Sequence, residues 1–233
     1  MQNDKRMNRF ILIAALLLAT TGIKAQDLWE VPEDNSASVK TETKNNKAKP
    51  GKAATPVVLK DAGYLSGAVT EKDGKVAWTF DYKVKGKSAQ EIYDTTIKVL
   101  QKYTGQDNQL EGSKVIMVNK NEHIIVAAVK EWLVFKDAFL SLDRAKLMYT
   151  LIARCSDEKL NLSMEKISYR YDDNTGKGEQ YISAEEAISD KNALNKKKTK
   201  LVPGWARFRK KTVDRKNELF KFIKDNIYLN LAD

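Results

Sequence analysis

Four strand-like runs follow one another between residues 114 and 171, and they restrict the possible folds of this chain more than any other feature. They are KVIMV (114–118), HIIVAAVKEWLVF (123–135), KLMYTLIARC (146–155) and LNLSMEKISYRY (160–171). Polar turn residues at 119–122 and 156–159 separate them, and short turns of this kind join antiparallel neighbours. The runs therefore predict a four-stranded antiparallel meander over 114–171. The apolar residues change face near 164–167, which predicts a bulge there.

Another strand and a well-marked helix precede the meander. The run KVAWTFDYKV alternates apolar and polar residues after the turn signal Asp73-Gly74, which predicts a half-buried strand over 75–83. Ser88 and Glu91 have the spacing of a capping box, in which each side chain satisfies a free backbone amide of the other residue. Apolar residues then recur at helical spacing, so we expect a helix over 88–104.

The C-terminal third has two helical patterns with a positively charged stretch between them. SAEEAISDKNAL predicts a short helix over 183–194, and Thr212 is placed to cap a longer helix over 212–228. Residues 195–216, called the basic segment below, are predicted to be mainly a surface connection, with a turn at Pro203-Gly204. Because each long helix has one apolar stripe, both should pack on the same face of the sheet.

This order of elements, β-α-β-β-β-β-α, predicts an α+β fold. Its simplest form is a single antiparallel sheet of about five strands with the helices packed on one face. Cys155 is the only cysteine, so no disulfide can form within the chain. It lies in an apolar run without a nearby histidine to lower its pKa, and we expect it to be a buried small hydrophobic residue.

The first 25 residues have the pattern of a signal peptide. Lys5, Arg6 and Arg9 form a basic region, an apolar run follows, and small residues lead up to Ala25. We therefore predict cleavage before Gln26 and an exported product, periplasmic or secreted, without a lipid anchor. Residues 26–56 contain few large apolar side chains and are predicted to be a flexible linker. We expect residues 57–233 to form a single domain.

Positive charge is concentrated in the basic segment. The chain has a net charge of +10, and residues 1–25 contribute four basic residues and one acid, so +7 remains after cleavage. The basic segment alone has ten basic residues and one acid. It is therefore the candidate surface for contact with an anion or a partner. The candidate residues are Lys196, Lys197, Lys198, Lys200, Arg207, Arg209, Lys210 and Lys211.

The alternative for the basic segment is a solvated loop that binds nothing. Under both interpretations Trp205 and Phe208 are predicted to be anchors that pack on the domain, because aromatic rings gain free energy by leaving water. Lysine head groups resist burial, so most of the surrounding lysines should be solvated.

Several stretches of the chain resemble the exported proteins of the family "domain of unknown function 4468". They are YLSGAV with DGKV (64–76), EWLVF with LDR (131–144), YRYDD (169–173), AEEAISDKNALNKKKTKL (184–201) and FRKKTVD (208–214). The resemblance extends over nearly the whole chain from Tyr64 onward. It implies a TATA-binding-protein-like fold, in agreement with the predicted order of elements, and it implies no activity.

Two functions are compatible with these observations. The first is a non-catalytic binding or interaction module of the cell envelope, whose partner is an anionic envelope polymer or another envelope protein. The second is an enzyme that acts on an envelope or extracellular polymer through carboxylates that spacing alone does not identify. The sequence contains no nucleotide-binding or hydrolase motif, and we predict no cofactor, metal ion or catalytic residue. Export argues against nucleic acid as the partner.

Overall fold

The computed structural model of the protein describes residues 61–138, 141–172, 175, 176 and 178–231. The predicted signal peptide and linker lie outside these residues. No helix in the described ranges is long and apolar enough to cross a membrane.

A small hairpin comes before the main sheet. Strands β1 (Glu71–Lys72) and β2 (Lys75–Val76) pair around Asp73 and Gly74, both of which have positive φ, as a tight hairpin turn requires. Strand β3 (Trp78–Lys83) follows. The prediction of one continuous strand over 75–83 is therefore wrong, because β2 pairs with β1 in a separate sheet.

Helix α1 (Ala89–Thr104) confirms the predicted helix and its capping box. The Ser88 hydroxyl accepts from the Glu91 amide at 3.3 Å, and the Glu91 carboxylate accepts from the Ser88 amide at 2.9 Å. Gly105 ends the helix.

The predicted meander is present. Its strands are β4 (Lys114–Asn119), β5 (Ile124–Ala138), β6 (Ser141–Ser156) and β7 (Lys159–Tyr171). All neighbours are antiparallel, and β3 joins the edge beside β7, giving the order β3-β7-β6-β5-β4. The register of β6 and β7 shifts between Met148 and Thr150. This shift leaves Lys166 and Ile167 as the bulge that the change of face predicted.

The segment after β7 is more divided than the sequence indicates. A strand β8 (Gln180–Ser183), which was not predicted, pairs with the C-terminal half of β7. The sheet therefore has six strands, against the five or so expected. Two one-turn helices, α2 (Ala184–Ala187) and α3 (Asp190–Ala193), replace the single predicted helix over 183–194. Each begins after a serine whose hydroxyl accepts a hydrogen bond from a backbone amide of the following turn. Because the second serine starts a new helix, the predicted helix is divided in two.

Helix α4 (Pro203–Leu231) begins nine residues before the predicted start at Thr212. The expected turn at Pro203-Gly204 is wrong, because Pro203 occupies the first helical position. Proline is favoured there, since it needs no hydrogen-bond partner and its φ is already helical. Thr212 is inside the helix, and its hydroxyl donates to the Phe208 carbonyl at 2.7 Å. Nearly two thirds of the basic segment, residues 203–216, is consequently helical.

Helices α1 and α4 pack against each other and on the same side of the sheet, as predicted. We call that side the inner face. Alternate residues of β5, β6 and β7 enter one hydrophobic core with apolar residues of both helices. Cys155 is part of this core, and burial raises the pKa of its thiol to about 11. It is therefore a buried small side chain, as expected. The opposite side of the sheet, the outer face, has no helix among the described residues.

Candidate anion-binding surface

The structure divides the eight candidate residues between two elements. Lys196, Lys197, Lys198 and Lys200 belong to the loop that joins α3 to α4, and residues 195–200 are called the basic loop below. Arg207, Arg209, Lys210 and Lys211 lie on the first turns of α4. The loop lysines are all exposed, whereas in the helix set Arg209 is buried and Lys210 is half-buried.

Asn195 gives the basic loop a defined shape. Its side-chain oxygen accepts from the backbone amides of Thr199 at 2.9 Å and Lys200 at 3.2 Å. The Lys198 amide donates to the Asn195 carbonyl at 2.8 Å. A bridge between Leu194 and Leu201 closes the loop at its base. The loop is therefore a compact turn.

The lysines of the basic loop are exposed. Lys198 lies 3.6 Å from the Asp190 carboxylate and is the only one of them in an ion pair within the described part of the chain. The ammonium groups of Lys196, Lys197 and Lys200 have no carboxylate partner among the same residues. This arrangement presents several cations on a short, ordered turn.

Arg209 differs completely, because its side chain is fully buried. The guanidinium donates to the carbonyls of Tyr64, Leu65 and Ile188 at 2.5, 2.7 and 2.5 Å, and to the Asp190 carboxylate at 2.7 Å. Its donors are therefore used inside the protein. The prediction that Arg209 contacts an external anion is corrected accordingly: it joins the segment before β1 and the α2–α3 connection to α4.

Arg207 and Lys210 are each occupied by an acid. The Arg207 guanidinium lies 2.5 Å from the Asp143 carboxylate and donates to the Tyr171 hydroxyl at 2.9 Å. The Lys210 ammonium lies 2.6 Å from the Asp61 carboxylate. Both side chains are partly exposed, but an external anion would have to compete with the carboxylate that each of them already contacts.

Trp205 and Phe208 attach the start of α4 to the core. Phe208 is 2% exposed and contacts the rings of Phe135, Tyr169 and Tyr171. Trp205 is partly buried and meets Phe208 edge to face at 5.8 Å. Both rings therefore pack on the domain, as predicted.

Lys211 faces a groove between α4 and the end of β5. The groove has a volume of about 470 Å³, and its lining includes Asn108, Trp132, Lys211, Asp214 and Arg215. Cations and acids alternate along it, so it has no single charge preference.

A buried carboxylate behind this groove was missed by the sequence reasoning. Glu131 is fully buried and accepts from the hydroxyl of Tyr149 at 2.8 Å and the amide of Gln109 at 3.0 Å. Arg215 forms an ion pair with it, and burial raises the pKa of the Tyr149 phenol. A signal for this site existed, since Glu131 occupies an inward position of the β5 alternation.

The Glu131 cluster has the character of a structural network. Its carboxylate oxygens receive donors from several directions, and Arg215 balances its charge, as buried acids require. Within the described ranges, no group of three or more His, Cys, Asp or Glu side chains is placed to hold a metal ion.

Comparison with known proteins gives one family and its fold. The family model described as "Domain of unknown function (DUF4468) with TBP-like fold" matches residues 78–170. A DUF4468 family protein from Bacteroides ovatus is similar in structure, with 35% sequence identity and a TM-score of 0.67. The similarity covers 72% of this chain and 95% of that protein.

A second solved structure supports the fold alone. It is a TBP-like protein from Parabacteroides distasonis, with 24% identity and a TM-score of 0.57, and the match covers 69% of this chain and 97% of that one. No curated protein matches the chain.

Proposed function

Since the chain belongs to the DUF4468 family, whose description names no activity, we propose a function from its surface chemistry. The protein is an exported, non-catalytic binding module of the cell envelope. It contacts an anionic partner, a polymer or another envelope protein, through the basic loop.

The observation that supports this function most is the state of the basic-loop lysines. Three of them have no ion-pair partner within the described residues, and the turn that presents them is fixed by Asn195. Like charges held close together raise the local potential, which attracts an anion and is relieved when the anion binds. A preformed turn also loses little conformational entropy on binding.

The enzyme alternative requires a carboxylate that is free to exchange a proton with a substrate. Glu131 is the buried acid closest to a groove, and its oxygens are already used by Arg215, Tyr149 and Gln109. This residue is therefore better suited to stabilising the fold than to acid–base chemistry.

A charge-neutralising triple variant tests the role of the basic loop. Lys196→Gln, Lys197→Gln and Lys198→Gln together should weaken binding to heparin by about ten-fold or more at low salt, and added salt should reduce the difference. Titration calorimetry measures the affinity. A matched control replaces three exposed lysines elsewhere, Lys85, Lys98 and Lys120, with glutamine. Equal losses in the two triple variants would show that total charge, rather than the loop, determines binding.

The export part of the proposal depends on residues 1–25 and has its own test. N-terminal sequencing of the protein purified from its native host should find Gln26 as the first residue. A chain that still begins at Met1 in that preparation would exclude cleavage.

A further inference from the structure

The outer face of the sheet carries a strong excess of positive charge. The strand registers place eight basic and three acidic residues of β3 to β7 on this face. The basic residues are Lys83, Lys114, Lys130, Arg144, Lys146, Arg154, Lys159 and Arg170. The acids are Asp81, Asp137 and Glu165. None of these cations belongs to the basic segment, so the face is a separate feature of the molecule.

One row across this face combines cations with aromatic rings. Direct pairing aligns Trp132 on β5, Lys146 on β6, Arg170 on β7 and Tyr181 on β8. Neighbouring strands are about 4.8 Å apart, so the row extends about 14 Å across the strands. Arg144, diagonal to Trp132, completes what we call the cation–ring row.

The rings hold the two guanidinium groups in place. The Arg144 guanidinium carbon lies 3.7 Å from the centre of the Trp132 ring, and that of Arg170 lies 5.3 Å from the Tyr181 ring. A guanidinium over a ring contacts it through its face, while its N–H donors lie in the guanidinium plane and can still bind a carboxylate. Lys146, the third cation of the row, forms an ion pair with Glu179 at 2.8 Å.

A recess lies within the row. It has a volume of about 230 Å³, and its wall contains three cations and three acids beside Trp132 and Leu142. The cations are Arg144, Lys146 and Arg170, and the acids are Asp143, Asp172 and Glu179. Sites for drug-sized ligands measure roughly 300–1,000 Å³, so this recess admits one small unit rather than a large compact ligand. The flanking Tyr181 is 58% exposed and lies outside the recess wall.

We propose that the outer face binds an acidic polysaccharide, with its carboxylates on Arg144 and Arg170 and a sugar ring against Tyr181. The excess of cations over acids on the whole outer face favours a polyanion, and a row of cations at strand spacing suits an extended chain with regularly repeated acidic groups. A second copy of this protein is disfavoured, because two such faces repel each other. A lipid surface presents its headgroups in one plane and would leave the recess unfilled. The site is separate from the basic loop, but the inference names a ligand class within the proposed binding function.

The test uses a hexamer of galacturonic acid, which is short enough to occupy one surface at a time. Arg144→Gln with Arg170→Gln should weaken hexamer binding by about ten-fold or more, since both guanidinium groups lose their charge-assisted hydrogen bonds to the hexamer carboxylates. The basic-loop triple variant should leave hexamer affinity within about three-fold. A charge-matched control, Lys85→Gln with Lys98→Gln, should do the same. Urea unfolding checks that the double variant is folded. Its stability should be close to that of the wild type, because exposed arginines contribute little to it.

Four results would overturn the inference. The first is hexamer binding that the double variant leaves unchanged; if the basic-loop variant removes it instead, the proposed function survives and the sheet site does not. The second is equal affinity for the uncharged galactose hexamer. The third is equal or tighter binding of hexadeoxythymidylate, which would assign the face to nucleic acid. The fourth is failure of the hexamer to bind the wild-type protein, which would exclude the proposed sheet site.

Discussion

At the scale of single residues, Arg209 shows how a charged side chain can stabilise the fold from inside it. Its donors reach three backbone carbonyls and one carboxylate that come from separate parts of the chain. Removing one member of such a buried network leaves the other groups without partners, and this desolvation is the larger part of the penalty.

Arg209→Gln should therefore lower the free energy of unfolding by about 3–5 kcal/mol. Urea denaturation followed by circular dichroism measures it. Lys211→Gln is the matched control, because Lys211 lies two residues away on the same helix and is exposed; its effect should stay within about 0.5 kcal/mol. Similar effects of the two changes would contradict the assigned role of Arg209.

Asp190 makes part of the stability dependent on pH. Burial alone would raise the pKa of this carboxyl, but hydrogen bonds from Arg209 and Ser66 and the charges of Arg209 and Lys198 outweigh burial and lower it. A carboxyl whose pKa is lower in the folded state adds stability above its unfolded pKa of about 3.9. That stability is lost as the pH falls through the folded value.

Asp190→Asn should therefore make the loss of stability below about pH 4 less steep than in the wild type. The slope of the free energy of unfolding against pH is the relevant measurement, because the variant is also less stable overall. Identical slopes in the two proteins would show that Asp190 is not one of the groups that titrate on folding.

The buried charges set the limit of prediction at this scale. Arg209 lies in a run of basic residues. Helical periodicity distinguishes an inward arginine from a solvated one only when the start of the helix is known, and the start of α4 was not predicted correctly. Glu131 was predictable in principle, since strand alternation places it between the inward residues Val129 and Leu133. Its partner Arg215 is far away in sequence, so only the fold brings them together.

At the scale of elements, the strongest local signals gave the correct result. The capping box located α1, and alternation together with polar turns located the meander and its bulge. The errors occurred where tertiary contacts decide. Strand β8 has only four residues and forms because β7 offers a free edge next to it. Pro203 and Gly204 read as a turn in isolation, although packing of Trp205 and Phe208 extends α4 back to Pro203.

Trp205→Ala tests whether this first part of α4 is stabilised by its anchors. The change removes a partly buried ring and its contact with Phe208, and it should lower the free energy of unfolding by about 1–3 kcal/mol. Tyr228→Ala at the other end of the same helix is the control, because Tyr228 is 62% exposed. Thermal unfolding monitored at 222 nm reports both. A Trp205→Ala protein as stable as the control would mean that the helix start is held by other contacts.

At the scale of the whole molecule, the two-layer arrangement separates stability from surface chemistry. One side of the sheet is occupied by α1, α4 and the core. The solvent-facing cations lie on the other side of the sheet and in the basic loop. The predicted fold class is confirmed by the structure and by its similarity to DUF4468 proteins. The site was predicted only in part. Composition located the positive charge of the basic segment, but it could not show which of these cations are buried or paired with acids in the folded protein. The excess charge on the outer face is spread over five strands and becomes visible only through their register.

We propose that this chain binds anions through the exposed lysines of the basic loop and not through the groove beside Glu131. The most direct measurement is a nuclear magnetic resonance titration of the isotope-labelled protein with heparin at low salt. We expect saturable shifts of the amide signals of residues 195–201, which weaken as salt is added. The amides around Asn108, Glu131 and Arg215 should change little. Shifts concentrated at the Glu131 groove, or no salt-sensitive shifts in the basic loop, would contradict the account.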